Sequence, residues 1–548
     1  MPFSLILFFL SISGIFLIDV FGNYNVSQLS FFLVLLAPFF LFLLTKIERK
    51  KVYLPIKETI FYLIFIIFSV ISTFFAIDKE IAFKSLLLYG AGYFFFIFSF
   101  NYQESFNKYF KWFLIIISLF SSLIFLIDKV FHLSLFTDAA SLFYGRYYHN
   151  ELGNLLILGI VICLFKILFE SKNKFFILLL FFLPFFVFSY SRSAYLALII
   201  IGTTFFFIKK NWLVIVVTIL ITGLFFITTT EVNRFFPTPI KEFMENKLLL
   251  PKKKSFTGKR QQHFYYALLS IKDRPFFGYG PQNLYLSTIK KQFNWQEGMT
   301  TAHNIILDIF AENGVLAGTS FLIFLILLFI KMRKNLYFYL FLSLTLIFLF
   351  GFSHRYTSFF LLWMILMGIS FESQKKDKII KNDTILSAAF ILFIFAQVIL
   401  IGKIFYNIGL TSLSLKIYPL KSEVYREIIE TNIKKGEKEE GLRNLTKYDS
   451  IFKEGFIANL NKGKFYEELN DKKNAVYFYK KAIYDKPLSS STLLSKIIAL
   501  YVDLDGEDIG KLETTKFINQ FKKKVIIPKK SDVEKIIQGF CYDYKLKC

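Results

Sequence analysis

The sequence predicts an all-α, polytopic membrane helix bundle of about 12–13 spans, with one large extracytoplasmic loop and a C-terminal helical-repeat domain. Three observations carry this prediction. Of 548 residues, 55% are hydrophobic and the mean hydropathy is +0.52, more apolar surface than a water-soluble chain can hide in ordinary domains. Apolar runs close to the length of a membrane crossing recur through the first 404 residues. The loops between those runs alternate in charge, as the positive-inside tendency requires.

A spanning helix needs about 20 largely apolar residues. By that rule the spans lie near 2–20, 29–46, 57–76, 82–100, 110–128, 151–170, 174–189, 193–208, 211–229, 304–331, 335–350, 354–371 and 384–404. The opening MPFSLILFFL lacks a basic start and a small-residue cleavage site, so it is expected to be the first span and not a removable signal. The 74 Phe and 30 Tyr are spread along the chain, so aromatic stripes carry little positional information. Basic loops at 46–51, 170–174, 209–210, 331–334 and 374–381 all fall on one side if the N-terminus is cytoplasmic. The other side then receives the 129–150 loop, SYSRS at 189–193, the long loop at 230–303 and GFSHRY at 351–356. The expected division is N-terminal spans 1–229, extracytoplasmic loop 230–303, C-terminal spans 304–404 and an extracytoplasmic helical domain 405–548.

The net charge of +25 raises the question of nucleic acid. Residues 405–548 hold 27 Lys and Arg against 20 Asp and Glu, leaving 38 against 20 for the apolar part. Most of the surplus therefore sits between spans, and no basic face with a nucleic-acid-binding motif accompanies it. Three cysteines are too few for a disulfide scaffold or a zinc cluster. Cys163 lies in an apolar run, while Cys541 and Cys548 either bridge or remain two thiols. In the tail, ELNDKKNAVYFYKKAIYDKP (468–487) places small and aromatic residues on one helical face and ends at Pro487. It resembles a tetratricopeptide repeat, with 425–452 as a preceding helical pair.

All five histidines (His132, His149, His263, His303 and His354) fall in outward loops or at their edges, and Arg146, Arg192, Arg260, Arg274 and Arg355 gather on the same side. That placement runs against the positive-inside tendency and asks for a reason. Arginine's planar fork binds phosphate through two parallel hydrogen bonds and stays charged when partly desolvated. A histidine with a pKa near ~6.5 is suited to taking a proton from a sugar hydroxyl at neutral pH. An outer pocket of this kind fits an anionic ligand held at the membrane surface.

Three stretches, each common alone, are specific as an ordered set. Ser189-Tyr190-Ser191-Arg192-Ser193-Ala194 lies at a span edge. Arg260-Gln261-Gln262-His263-Phe264-Tyr265-Tyr266-Ala267 precedes Asp273-Arg274-Pro275-Phe276-Phe277-Gly278-Tyr279-Gly280. Ala302-His303-Asn304-Ile305-Ile306-Leu307 precedes Glu312-Asn313-Gly314 and Gly318. His149-Asn150-Glu151-Leu152-Gly153 is a weaker fourth. Over about residues 140–370 this set resembles the O-antigen ligase and polymerase superfamily of membrane glycan transferases. The resemblance implies an all-helical bundle in the bacterial inner membrane that needs no metal and no cofactor. It implies a metal-independent, inverting glycosyltransferase that moves a glycan from an undecaprenyl-diphosphate-type carrier to an acceptor hydroxyl on the outer side. The partners it implies are that donor, a glycan, lipid or protein acceptor and membrane lipid; the tail adds a protein partner.

Carried over by motif, Arg192, Arg260 and Arg274 bind the lipid diphosphate and His303 activates the acceptor hydroxyl, with Asn304, Glu312, His149 and Arg146 in support. Each has a structural alternative. Arg192 snorkels at a span end, Arg274 pairs with Asp273 in a surface turn, Arg260 is a solvated cation, and His303 caps or packs at a helix start. Asp308 and Glu312 share a face with Asn304 and orient that end of the helix. Ligase, polymerase and protein O-oligosaccharyltransferase readings share these motifs, and a lipid-linked-glycan transporter is the rival from another class. The GYG glycines suit a tight turn with φ > 0, since no strand precedes them and no GKS or GKT follows.

Overall fold

The fold is that of a computed structural model, which describes residues 2–21, 24–131, 149–189, 191–227, 260–291, 301–372, 378–525 and 527–547. The first part runs α1 (Phe3–Phe21), α2 (Tyr24–Ile47), β1 (Val52–Leu54), α3 (Ile56–Phe74), α4 (Lys79–Asn101), α5 (Gln103–Phe131), α6 (His149–Glu170), α7 (Phe175–Phe188), α8 (Arg192–Lys209) and α9 (Trp212–Ile227). It continues with α10 (Arg260–Asp273), α11 (Leu284–Ile289), α12 (Ile305–Lys331), α13 (Leu336–Phe350), α14 (Thr357–Ser370), β2 (Lys378–Ile380) and α15 (Asn382–Asn407). Every expected span falls on one of these helices, and the closely spaced pair at 174–208 separates into α7 and α8 at Ser189–Ser191.

Seven of the helices are long and apolar enough to cross a membrane: Ile56–Phe74, Lys79–Asn101, Gln103–Ile127, Asn150–Glu170, Arg192–Lys209, Ile305–Lys331 and Asn382–Asn407. Among the described residues, five shorter apolar helices accompany these seven. The chain is a multi-pass, all-α membrane protein. Its core buries Tyr62, Phe65, Phe95, Phe96, Phe98 and Trp363 almost completely, so the Phe that bears no positional signal in the sequence supplies the interior. α12 packs on α3, α14 on α4, and α13 on both α6 and α8.

The two ends of the bundle differ. At one, β1 and β2 pair antiparallel with Tyr53 opposite Ile379, Lys331 meets the buried Glu58 at 2.7 Å, and Lys46 meets Asp383 at 2.5 Å. The basic loops 46–51, 331–334 and 378–381 are thereby gathered together. The other end collects the starts of α6, α8 and α12, the turn between α13 and α14, and the loop that follows α10.

Two local rules build that second end. Asn304 is the N-cap of α12: its side chain accepts from Leu307 N at 3.0 Å, satisfying an orphan amide. Its amide nitrogen also donates to Leu349 O at 3.1 Å, tying α12 to α13. Ten residues on, Gly314 adopts φ 84°, ψ 172° and breaks α12. The loop after α10 fills the break: Tyr279 N donates to Ala311 O at 3.2 Å, Gly280 N to Glu312 O at 2.8 Å, and Val315 N to Pro275 O at 2.7 Å. A broken helix at membrane depth survives only when protein satisfies the freed backbone groups, and here the GYG turn does so.

The tail folds as α16 (Thr411–Ile417), α17 (Ser422–Lys434), α18 (Lys438–Ile451), α19 (Phe456–Glu468), α20 (Lys472–Asp485), α21 (Ser490–Asp505), α22 (Glu507–Val525) and α23 (Asp532–Asp543). Consecutive helices pack as hairpins, α17 with α18, α19 with α20 and α21 with α22. The tail meets the site-bearing end through Lys79 Nζ, which donates to Ile451 O at 2.7 Å, and through Lys290 and Asp485 at 3.1 Å. Cys541 is disulfide-bonded, whereas Cys163 is a buried free thiol; Cys548 lies outside the described residues.

Candidate active site

The site is organised around two carboxylates that sit one turn apart on α12, because residues at i and i+4 share a helix face. Asp308 is fully enclosed. It accepts from Thr301 Oγ1 at 2.6 Å, Ala302 N at 2.7 Å and His354 Nε2 at 2.7 Å, and it lies 3.2 Å from Arg355 Nη2. The same Arg355 nitrogen reaches Glu312 Oε1 at 2.5 Å. Buried charge of this kind is tolerated only when paired and hydrogen-bonded. Burial alone would lower the Arg355 pKa, but Asp308 and Glu312 outweigh it and push it up. Burial lowers the pKa of His354 against the pull of its Asp308 bond, so this histidine is a structural donor.

Asp308 also shapes the residue at the head of the helix. The Thr301 hydroxyl that it holds accepts from His303 N at 3.0 Å, and His303 takes a left-handed φ of 55°. The Thr301 carbonyl accepts from His263 Nδ1 at 3.0 Å. The two imidazoles lie with centroids 4.8 Å apart, and Phe352 packs edge-on to His303 at 5.1 Å. Burial, then His263 and Arg260, lower the His303 pKa to about 3. His303 is therefore a neutral base at physiological pH. An anion arriving beside Arg260 would offset one of the charges that add to the effect of burial.

Arg260 opens α10 one turn before His263. Burial, then the charge of Arg192, lower its pKa to about 10, leaving it cationic at pH 7. Arg192 opens α8, and the start of α6 packs closely here: a Cβ on Gly153 would fall 2.4 Å from Ser191 Cβ. His303, His263, Arg260 and Arg192 thus converge from α12, α10 and α8. Two cations and a neutral imidazole face each other with apolar helices beside them, which suits an anion and a nearby hydroxyl. Among the described residues, no group of three or more His, Cys, Asp or Glu is placed to hold a metal ion.

Arg274 is not brought to this cluster. It follows the last residue of α10, so at 1.5 Å rise per residue it stands roughly 20 Å from Arg260 along the axis. Its Nη2 pairs with Glu454 of the tail at 2.6 Å, its guanidinium lies 4.6 Å from the Tyr279 ring centroid, and Nη1 donates to Phe75 O at 3.4 Å. The alternative pairing of Arg274 with Asp273 is not formed: Asp273 binds Lys291 at 2.5 Å. Asn304 is a helix cap and Glu312 a partner of Arg355. His149 begins α6, with its side chain outside the described residues, as are Arg146 and His132.

Sequence reasoning passed over two features. It set Asp308 and Glu312 on one helix face but did not pair them with Arg355, although two acids at the head of an apolar run demand a cationic partner and His354-Arg355 supplies one. It also missed Glu151, whose Oε1 accepts from Ser353 Oγ at 3.2 Å, with Asn154 Nδ2 donating to that hydroxyl at 2.6 Å. The signal was again a carboxylate heading an apolar run.

These features define a multi-pass membrane protein with a cationic, histidine-bearing cluster at one end of the bundle and a broken helix braced by a loop. Residues 175–322 match the family model described as O-antigen ligase. The match runs from the start of α7 past the break in α12, and includes Arg192, Arg260, Arg274, His303 and Glu312. No curated protein and no solved structure matches the chain. The family match supports membrane glycosyl transfer of the ligase or polymerase type.

Proposed function

We propose that this protein transfers a glycan from an undecaprenyl-diphosphate-type carrier to an acceptor hydroxyl on the outer face of the bacterial inner membrane. The observation that carries the reading is the meeting of His303 with Arg260 and Arg192 inside the segment that matches the O-antigen ligase family. Arg260 and Arg192 hold the diphosphate and stabilise the charge that develops on it. The acceptor oxygen attacks the anomeric carbon as its proton passes to His303, the carbon–oxygen bond to phosphate breaks, and the lipid diphosphate leaves with the electron pair. One displacement inverts the anomeric centre. Burial is the main cause of the low His303 pKa, and a diphosphate beside Arg260 would offset part of the remaining charge effect, which favours proton transfer with the donor bound. The N-terminus is placed in the cytoplasm and the tetratricopeptide-like tail outside it, from the alternation of loop charge.

The test is transfer by purified protein in detergent from a lipid-diphosphate oligosaccharide, with lipid A core, lipid-linked glycan and protein acceptors in parallel. Wild type is expected to release the lipid diphosphate and label one acceptor class, and His303→Asn and Arg260→Ala to lose both. Transfer that survives His303→Asn removes the base. Product with the donor's anomeric configuration removes the single displacement. One observation favours a second reading: α12 is broken beside Glu312, and interrupted helices with ionisable groups are how transporters bind cargo. Donor movement across proteoliposomes without release of the diphosphate would select it.

A further inference from the structure

Where the tail meets the bundle there is a cavity of about 470 Å³ between the end of α3, the loop after α10 and the end of α18. Its charged lining is Lys79, Arg274, Lys453 and Glu454, three cations from three elements against one acid. The guanidinium of Arg274 is fixed by the Tyr279 ring and the Phe75 carbonyl, and its pairing with Glu454 is partly open to solvent. An exposed pair of that sort contributes little and yields to a stronger anion. Lys453 makes no ion pair among the described residues and is exposed. The rest of the wall is aromatic: Phe75 stacks on Phe277 at 5.0 Å, while Phe74 and Phe276 are 74% and 66% exposed. Phe74 is the last residue of a helix long enough to cross the membrane, so the aromatic rim stands where the apolar run stops and the cations begin. Aromatic and basic side chains meet in this way at a membrane–water interface.

We propose that this cavity binds the phosphate-bearing headgroup of an anionic membrane amphiphile. The phosphate sits among Arg274, Lys79 and Lys453, and the apolar chain lies along Phe74 and Phe276. Arg274 supplies the planar fork for two phosphate oxygens, and the lysines supply point charges. The length of α10 separates this site from His303, and the tail contributes Lys453, so the site exists only with the tail docked. It stands independently of the transfer reaction, because the same headgroup can belong to a bulk lipid or to a substrate.

The test is native mass spectrometry of the full chain in detergent, titrated with phosphatidylglycerol, phosphatidylcholine or inorganic phosphate. Phosphatidylglycerol is expected to be retained, with phosphatidylcholine and inorganic phosphate each at least roughly tenfold weaker. Lys453→Glu and Arg274→Gln are each expected to weaken phosphatidylglycerol roughly tenfold, while Lys447→Glu, an exposed charge change elsewhere on the tail, is expected to have no effect. Equal retention in Lys453→Glu and Lys447→Glu, with both proteins monodisperse, overturns the site. Phosphatidylcholine held as tightly overturns the role of the cations, and inorganic phosphate held as tightly overturns that of the aromatic rim. None of these readouts depends on glycan transfer, so a failure here leaves the His303 reading to its own assay.

Discussion

Replacing Gly314 with alanine tests whether the GYG turn and the broken helix form one unit. Its φ and ψ lie in a region that is essentially reserved for glycine and costs other residues about 1–3 kcal/mol. A Cβ there would stand 2.0 Å from Phe276 O and 2.4 Å from Phe276 C, both backbone atoms that have no rotamer to adopt. Moving the loop away to relieve that clash sacrifices the hydrogen bonds from Tyr279, Gly280 and Val315, at about 1 kcal/mol each. Together these predict a loss of about 4–6 kcal/mol for Gly314→Ala, read as a large fall in thermal midpoint in detergent. The control is Gly539→Ala, in a tail helix where a new Cβ meets nothing within 4 Å; it should be neutral or raise stability by up to about 1 kcal/mol. Matching midpoints for Gly314→Ala and wild type would refute the interlock, since no repacking of side chains can make room among backbone atoms.

Other outcomes follow from the same geometry. Arg355→Ala strands Asp308 and Glu312 as buried carboxylates and is expected to destabilise by about 3–5 kcal/mol, with Arg355→Ala/Asp308→Asn/Glu312→Gln recovering part of that loss in the same thermal assay. Asn304→Ala removes a helix cap and should cost about 1 kcal/mol; a neutral result would mean that the capping bond is not formed. Because folding depresses the His303 pKa from 6.5 to about 3, the unfolded chain takes up that proton first as the pH falls. Its contribution is complete above about pH 6.5 and fades toward pH 3, by roughly 2–3 kcal/mol between pH 7.5 and 4.5. The fall in thermal midpoint over that range should therefore be shallower in His303→Asn than in wild type, and parallel slopes would place His303 in a more solvated setting.

Much of the bundle was legible because membrane crossing imposes length and composition together, and loop charge orders the ends. Apolar runs from 57–76 through 384–404 could hardly be anything but helices in lipid. The pairing of helices was not legible, since uniformly apolar runs carry no stripe to say which face meets which neighbour. Of the four candidates that the ordered motifs name, the fold brings His303, Arg260 and Arg192 together, and the rigid helix α10 sets Arg274 apart from Arg260; a motif records residues that travel together and takes no account of that distance. The hydrogen bonds of Asp308 to Thr301 and Ala302 were equally hidden: they depend on a left-handed turn that no local pattern announces.

That turn changes how substitutions at its centre should be interpreted. His303 occupies a backbone region in which asparagine, aspartate and histidine are enriched among non-glycine residues, so alanine there alters the loop as well as removing the imidazole. An alanine scan would overstate the chemical contribution of His303 by whatever the backbone loses. Asparagine keeps the turn while discarding the base, and glycine keeps the turn while discarding every side-chain contact. The difference in rate between those two variants isolates what a polar side chain does at this position, and the difference between asparagine and histidine isolates the proton.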